Sequence, residues 1–416
     1  MHHWRRLPSP PLSDRLAILL SLLAVVAAYL VADRVFERIP HLEDEIAYAW
    51  QAQVYARGEL TVPSPPSPKS ILVPFVVDYR GRRFAKYPPG WPVMLAFGVA
   101  AGGRAWVNAL LAGLGVWLTY RLGQRVFDAR IALLAAFLTL ISPFFLLNSG
   151  SLLSHPWALV LSLAFALAWL EAFSGREGNE SREPLRWLTA TMAGLSLGVL
   201  ALTRPLTAVG VALPFFVHGL ILLLRGDGKT RGRILLVGLL AASVAALLFL
   251  WQYAVTGDAL LNPYTLWWKY DKVGFGEGYG RMEGGHNLHW AWVNLRNSLE
   301  AGWGDFFGWG KVSWLFLPFG AWAARRNRRA WLIGSVFPSL LLVYMAYWIG
   351  SSLFGPRYYY EGLPGLTLLT AAGIVWLAGR PRSTRRKARA LALTAVVALL
   401  VSANALWYLP ARLGPM

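Results

Sequence analysis

The stretch Leu16-Ala-Ile-Leu-Leu-Ser-Leu-Leu-Ala-Val-Val-Ala-Ala-Tyr-Leu-Val-Ala-Asp-Arg-Val35, followed seven residues later by Glu43-Asp44-Glu45-Ile46-Ala47-Tyr48-Ala49-Trp50, decides what kind of protein this is. The first part is long and apolar enough to cross the ~30 Å hydrocarbon core of a bilayer. The second places three consecutive acids just beyond that span. Carboxylates close to lipid are costly, so acids found there usually carry a function.

The rest of the chain repeats the apolar theme. Of its 416 residues, 56% are hydrophobic and 15% charged, the mean hydropathy is +0.44, and there are 21 tryptophans. These values imply an all-α polytopic membrane protein; a transmembrane β-barrel would show short alternating segments instead. Membrane-length runs predict about eleven spans, at 16–35, 105–122, 131–147, 157–173, 187–202, 206–224, 234–255, 312–324, 331–349, 363–378 and 390–409. The run 91–101 is too short to cross and follows Pro88-Pro89, so it reads as an interfacial or re-entrant helix. Residues 1–15 are basic and Pro-rich with no small-residue cleavage site after the first apolar run, which predicts a retained helix. Cysteine is absent, which excludes disulfides and thiolate metal sites.

The net charge of +19 is a matter of topology, not of nucleic-acid binding. With a cytoplasmic N-terminus, the inside loops hold Arg5, Arg6 and Arg15, then Arg121, Arg125 and Arg130, then Arg176, Arg182 and Arg186. They continue with Arg225, Lys229, Arg231 and Arg233, then Arg325, Arg326, Arg328 and Arg329, and end with Arg380, Arg382, Arg385, Arg386, Lys387 and Arg389. More than half of the 40 Lys and Arg thus fall in short loops on one side, as the positive-inside rule requires. The expected organisation is a first helix (1–35), a long outer loop (36–104), spans two to seven (105–255), a second outer loop (256–311) and the last four spans (312–416). Uncommon polar residues gather on the outer side, so function is expected there, in the cytoplasmic membrane and facing the periplasm or exterior.

In the first outer loop, Asp44 and Glu45 fall in the first turn of a helix, where the dipole favours anions. They read either as capping residues or as catalytic groups, with Asp44 the general base and Glu45 orienting or neighbouring it so as to raise its pKa. An apolar stripe, Ile46, Trp50 and Val54, would hold this helix on the membrane surface. A Pro-rich connector (61–69) and a hairpin around Arg80-Gly81 follow. Lys86 is then expected to face outward, as a phosphate-binding point charge or a snorkelling interfacial lysine.

Asp44-Glu45-x-x-Tyr48 after the first span, with Lys86-Tyr-Pro-Pro-Gly-Trp-Pro92, resembles the GT-C glycosyltransferases, closest to the protein O-mannosyltransferase and aminoarabinose-transferase branches. The likeness covers the order of spans over about the first 220 residues. It implies a GT-C-like bundle with interfacial helices in the first outer loop, and an inverting enzyme using a polyprenyl-phosphate-linked sugar on the outer face. It places the family's acid motif on Asp44-Glu45 and its phosphate-contacting lysine on Lys86. Many relatives carry an acid in the outer turn after the third span. Here that turn reads Ser151-Leu-Leu-Ser-His155-Pro156, so His155 either replaces the acid or is a turn residue.

Arg204, alone between two apolar helices, would bind donor phosphate or sugar, or close an ion pair with a loop acid. In Gly355-Pro-Arg-Tyr-Tyr-Tyr-Glu361, Arg357 is a candidate phosphate fork. Tyr358, Tyr359 and Glu361, with Tyr48, are candidate sugar contacts, and an aromatic belt explains part of the cluster. His286 and His289 at i, i+3, with Glu283, are weak candidates for a divalent metal, and no cofactor is otherwise implied. The expected partners are the lipid-linked donor, a glycan, lipid or protein acceptor, and membrane lipid. The alternatives are a lipid-linked-sugar flippase or other transporter, and a polymerase or ligase with a different lipid-linked donor.

Overall fold

The computed structural model describes residues 11–173, 182–379 and 384–414. The basic residues Arg5, Arg6, Arg176, Arg380 and Arg382 lie outside them. The first helix, α1 (Leu12–Arg34), is followed by α2 (Glu43–Ala56), a three-stranded sheet of β1 (Val62–Pro63), β2 (Val76–Tyr79) and β3 (Arg82–Ala85), and α3 (Gly90–Ala100). The central bundle comprises α4 (Arg104–Val126), α5 (Ala129–Leu140), α6 (Pro143–Gly150), α7 (His155–Phe173), α8 (Glu183–Thr203), α9 (Pro205–Arg225) and α10 (Gly228–Thr256). Then come α11 (Tyr264–Trp267), α12 (Leu288–Asp305), α13 (Leu317–Ala323), α14 (Arg328–Gly334), α15 (Val336–Tyr344), α16 (Leu363–Ala378), α17 (Thr384–Ala403) and α18 (Leu409–Leu413).

Local chemistry sets most of the boundaries. Asp128, Asp227, Asn287 and Asn327 cap α5, α10, α12 and α14 through side-chain oxygens that accept backbone N–H groups. The Arg80-Gly81 turn joins β2 to β3 with φ of 49° and 76°, the left-handed pair that a two-residue hairpin demands. At the start of α3 a Cβ on Gly90 would lie 2.5 Å from Thr203 Oγ1 and 2.8 Å from the Leu202 carbonyl. Glycine there lets α3 seat against the end of α8, beside Arg204.

Among the described residues seven helices are long and apolar enough to cross a membrane, or nine if each bent pair is one span. The chain is thus a multi-pass α-helical membrane protein, but the expected eleven is not reached. The run 131–147 breaks at Ser142-Pro143 into α5 and α6, bent by 58°. The run 312–324 yields only the seven residues of α13, after a 3-10 turn at Gly310–Val312. The run 331–349 breaks at Ser335 and ends at Tyr344, because Tyr347 turns away to bridge Val273. As expected, α3 does not span: it meets α4 at 117°.

α7 and α16 are the most enclosed spans and every residue of α6 is buried, whereas α10 and α17 lie at the periphery. The loops sort to two ends. At one, Arg125 pairs with Glu171 (2.8 Å), Arg233 with Glu183 (2.9 Å), and Asn327 Nδ2 donates to the Val126 carbonyl (2.7 Å). At the other, segments 36–104, 148–156, 203–205, 256–311 and 351–361 meet. The two long ones, 36–104 and 256–311, are those the sequence assigns to outer loops.

Candidate active site

The site is built around a turn that three elements pin by its backbone. Glu45 of α2 accepts from Leu152 N (2.5 Å), Trp91 Nε1 of α3 donates to the Leu152 carbonyl (2.9 Å), and Asn108 Nδ2 of α4 donates to the Ser151 and Leu153 carbonyls (2.6 and 2.9 Å). Glu45 also accepts from His41 N (2.8 Å) and Leu42 N (3.0 Å), closing the α2 N-terminus. Burial pushes its carboxyl above the usual range, and these three N–H bonds pull it back down. Glu45 therefore neighbours Asp44 in sequence but is occupied by backbone N–H groups. Its oxygens face backbone donors, and its position three residues into the helix is the physical reason.

One position earlier, the Asp44 side chain points the other way. Its Oδ2 lies 2.9 Å from Arg357 Nη2, and its Oδ1 accepts from the Tyr87 hydroxyl. Its side chain is 22% exposed, against 0–1% for Glu45 and Glu361. Asp44 is thus the reachable carboxylate, set between a guanidinium and a phenol. The stripe expected to hold α2 on the membrane is mostly taken up by protein: Val54 is buried, and Ile46 and Trp50 are half-buried.

The three cation candidates differ sharply. Each nitrogen of Arg204 is engaged: Nε on Thr207 Oγ1 (3.0 Å), Nη1 on Ser154 Oγ (3.2 Å) and Nη2 on the Tyr344 hydroxyl (3.2 Å), with Glu361 at 3.7 Å. The ion pair left open by the sequence is the one found. Lys86 does not face outward. It is buried, with Nζ 2.9 Å from Asp271 Oδ2, because the preceding strand β3 turns it inward beneath the second long segment. Arg357 alone of the three keeps buried N–H groups, on Nε and Nη1, with no partner. It follows Gly355, whose φ of 80° and lack of a Cβ let the chain pass Phe144 and Asp305.

Of the candidate sugar contacts, Tyr48 packs on Tyr87 (4.6 Å between ring centroids) and Tyr358 stacks on Tyr344 (4.7 Å, 11° between planes). Tyr359 is buried against Phe337 and Tyr344, so it belongs to the core. His155 is buried edge-on to Tyr360 with no partner for either ring nitrogen. Glu361 is buried with neither oxygen hydrogen-bonded. The histidine pair does not form a metal site. His286 Nε2 lies 2.8 Å from the Met345 carbonyl, its ring stacks on Phe275, and His289 turns to Trp290. Among the described residues no group of three His, Asp or Glu could hold a metal ion.

Two residues escaped the sequence reading. Tyr87 lies inside the quoted Lys-Tyr-Pro-Pro motif, and only its contact with Asp44 gives it a task. Asp271 lies 185 residues from Lys86, a separation no local pattern bridges.

The solved structures most like this chain include ArnT from Cupriavidus metallidurans bound to undecaprenyl phosphate, with a TM-score of 0.60 at 18% identity, covering 93% of this chain and 64% of that one. They also include the oligosaccharyltransferase AglB from Archaeoglobus fulgidus in complex with an inhibitory peptide and a dolichol-phosphate, with a TM-score of 0.56 at 16% identity, covering 94% and 56%. At these identities the likeness is one of fold, the GT-C fold, and this chain spans less than two thirds of either protein. A search of curated proteins found no match. Residues 42–257, just over half of the chain and including α2, the sheet and the pinned turn, match the family model described as dolichyl-phosphate-mannose-protein mannosyltransferase. The chain belongs to that family of GT-C glycosyltransferases.

Proposed function

We propose that this protein is an inverting glycosyltransferase that moves a sugar from a polyprenyl-phosphate donor to an acceptor hydroxyl, at the outer face of the cytoplasmic membrane. The observation that carries the reading is the Asp44–Arg357 pair: a reachable carboxylate held 2.9 Å from a guanidinium that still has unpartnered N–H groups. The fold likeness to proteins crystallised with undecaprenyl phosphate and dolichol-phosphate supports the donor class. The family description makes mannose the first sugar to try. The acceptor is a glycan, lipid or protein hydroxyl.

In the reaction, the acceptor oxygen attacks C1 of the sugar from the face opposite the phosphate. Asp44 takes the hydroxyl proton as the new C–O bond forms, and the bond from C1 to the phosphate oxygen breaks. The leaving polyprenyl phosphate departs with its added negative charge. Arg357 can keep Asp44 on Nη2 while one of its unpartnered N–H groups, on Nε or on Nη1, turns to that phosphate, so one side chain links base and leaving group. Tyr87 orients the carboxylate from its other side. Arg204 acts at one remove, by fixing Ser154, Thr207 and Tyr344 around the site.

The test uses protein in nanodiscs with radiolabelled polyprenyl-phosphate-mannose, then other sugar donors. Asp44→Asn should bind polyprenyl phosphate about as the wild type does and turn over at least ~10²-fold more slowly. Arg357→Ala should lose donor binding. Near-normal turnover by Asp44→Asn would remove the base from the mechanism.

A further inference from the structure

Lys86 occupies an unusual position for a cation beside an active site. Its Nζ lies 4.0 Å from the ring centre of Phe75, 4.7 Å from Trp268, 4.9 Å from Tyr264 and 5.4 Å from Tyr87. Asp271 closes this aromatic box from the second long segment. One oxygen meets Lys86 at 2.9 Å, and the other accepts from the Tyr347 hydroxyl (2.8 Å) and Trp348 Nε1 (2.9 Å). The Lys86 and Asp271 side chains are 3% and 1% exposed.

A buried ammonium without a carboxylate partner gives up its proton or draws in water. Burial lowers the affinity of Lys86 for its proton, and Asp271 is the larger of the two acids that oppose this, Asp44 the smaller. The other titratable groups facing it are Tyr87 and Tyr264, whose hydroxyls burial keeps protonated. Asp44 is already engaged by Arg357 and Tyr87. Tyr87 therefore touches both the reachable carboxylate and the boxed lysine, and the chain of contacts runs Asp271, Lys86, Tyr87, Asp44.

We propose that Asp271 is a positioning residue of the transfer site. It keeps Lys86 ionised and fixed beside Tyr87, and so makes the charge behind Asp44 depend on the second outer segment lying closed over the first. This rests on the reading of Asp44 as the base. A purely structural pair would do neither: two apolar side chains of similar size would replace it without loss of transfer.

Two readouts test the inference on the full chain in nanodiscs. The first is the pH dependence of Lys86 acetylation by acetic anhydride, followed by mass spectrometry. The second is the pH profile of kcat/KM for transfer. In Asp271→Asn the Lys86 midpoint should fall by about one pH unit or more, and the alkaline limit of transfer should move down with it. Asp271→Glu should restore most of both. An unchanged or raised Lys86 midpoint in Asp271→Asn overturns the inference. If that variant does not fold, the double variant Lys86→Met/Asp271→Leu decides. Folding with transfer at least about tenfold below wild type supports the positioning role, and transfer at the wild-type rate overturns it. A falling midpoint in a protein whose wild type transfers no sugar would count against the functional reading and leave the clasp standing. Transfer without the fall would do the reverse.

Discussion

The two ends of the bundle handle charge in opposite ways. At the end carrying the basic loops, Arg125 pairs with Glu171 while 49% of its side chain stays exposed, and neighbouring arginines bond backbone carbonyls. Water solvates these cations, whose number and side matter more than their partners, while Arg186 and Arg233, buried beside Glu183, are the exceptions at this end. At the other end, Lys86 and Asp271 are almost fully buried, Arg204 meets Glu361 inside the bundle, and Asp44 meets Arg357 across 313 positions of sequence. Desolvated charges of this kind are costly unless they are paired or await a ligand. The basic end carries the loops that the positive-inside rule reads. The buried end carries the candidate site.

That contrast can be broken at its centre by Asp44→Asn, the largest expected effect. It removes the carboxylate that meets Arg357 and Tyr87 and should cost ~10²–10⁴-fold in turnover, far more than the modest stability lost by leaving Arg357 without its acid. A scan of turnover and thermal unfolding on the same preparations checks both halves.

Glu45→Gln sharpens the comparison within a single helix turn. An amide cannot accept all three backbone N–H groups as the carboxylate does, so about 1–3 kcal/mol of stability should go. The expected signature is a lower melting temperature in detergent, with folded molecules that still turn over. If Glu45→Gln instead matched Asp44→Asn in turnover and kept wild-type stability, the two acids would have to exchange roles.

Sidedness is a separate test with a yes-or-no readout. Ser67→Cys and Gly228→Cys place single thiols at the two ends of this Cys-free chain. An impermeant maleimide on intact cells should label the first and spare the second. Labelling of Gly228→Cys alone would invert the orientation read from the arginines.

The smallest effect belongs to the basic end. Arg125→Gln deletes the exposed partner of Glu171 and should change stability by no more than ~1 kcal/mol, with transfer unchanged. A large loss of transfer there would erase the distinction between the ends.

Much of this was legible in the chain. Apolar runs gave the membrane class, and Pro88-Pro89 marked the start of the short helix α3. Local signals also identified the hairpin at Arg80-Gly81 and the acids at the start of α2. The count of spans was less legible, because hydropathy measures how apolar a segment is. It does not register that Ser142-Pro143 bends one segment or that Tyr347 leaves another to bridge Val273.

The sequence by itself determined the membrane class and brought forward the acids and cations that the fold gathers, since both follow from side-chain chemistry read over a window of twenty residues or fewer. Only the tertiary structure decided roles. It separated Asp44 from Glu45, because adjacent positions on a helix point about 100° apart and met different partners. It turned Lys86 inward, spent Arg204 on hydroxyls and left Arg357 with free donors. Each of those outcomes depends on which distant segment arrives to share the same few ångströms, and sequence spacing does not encode that arrival.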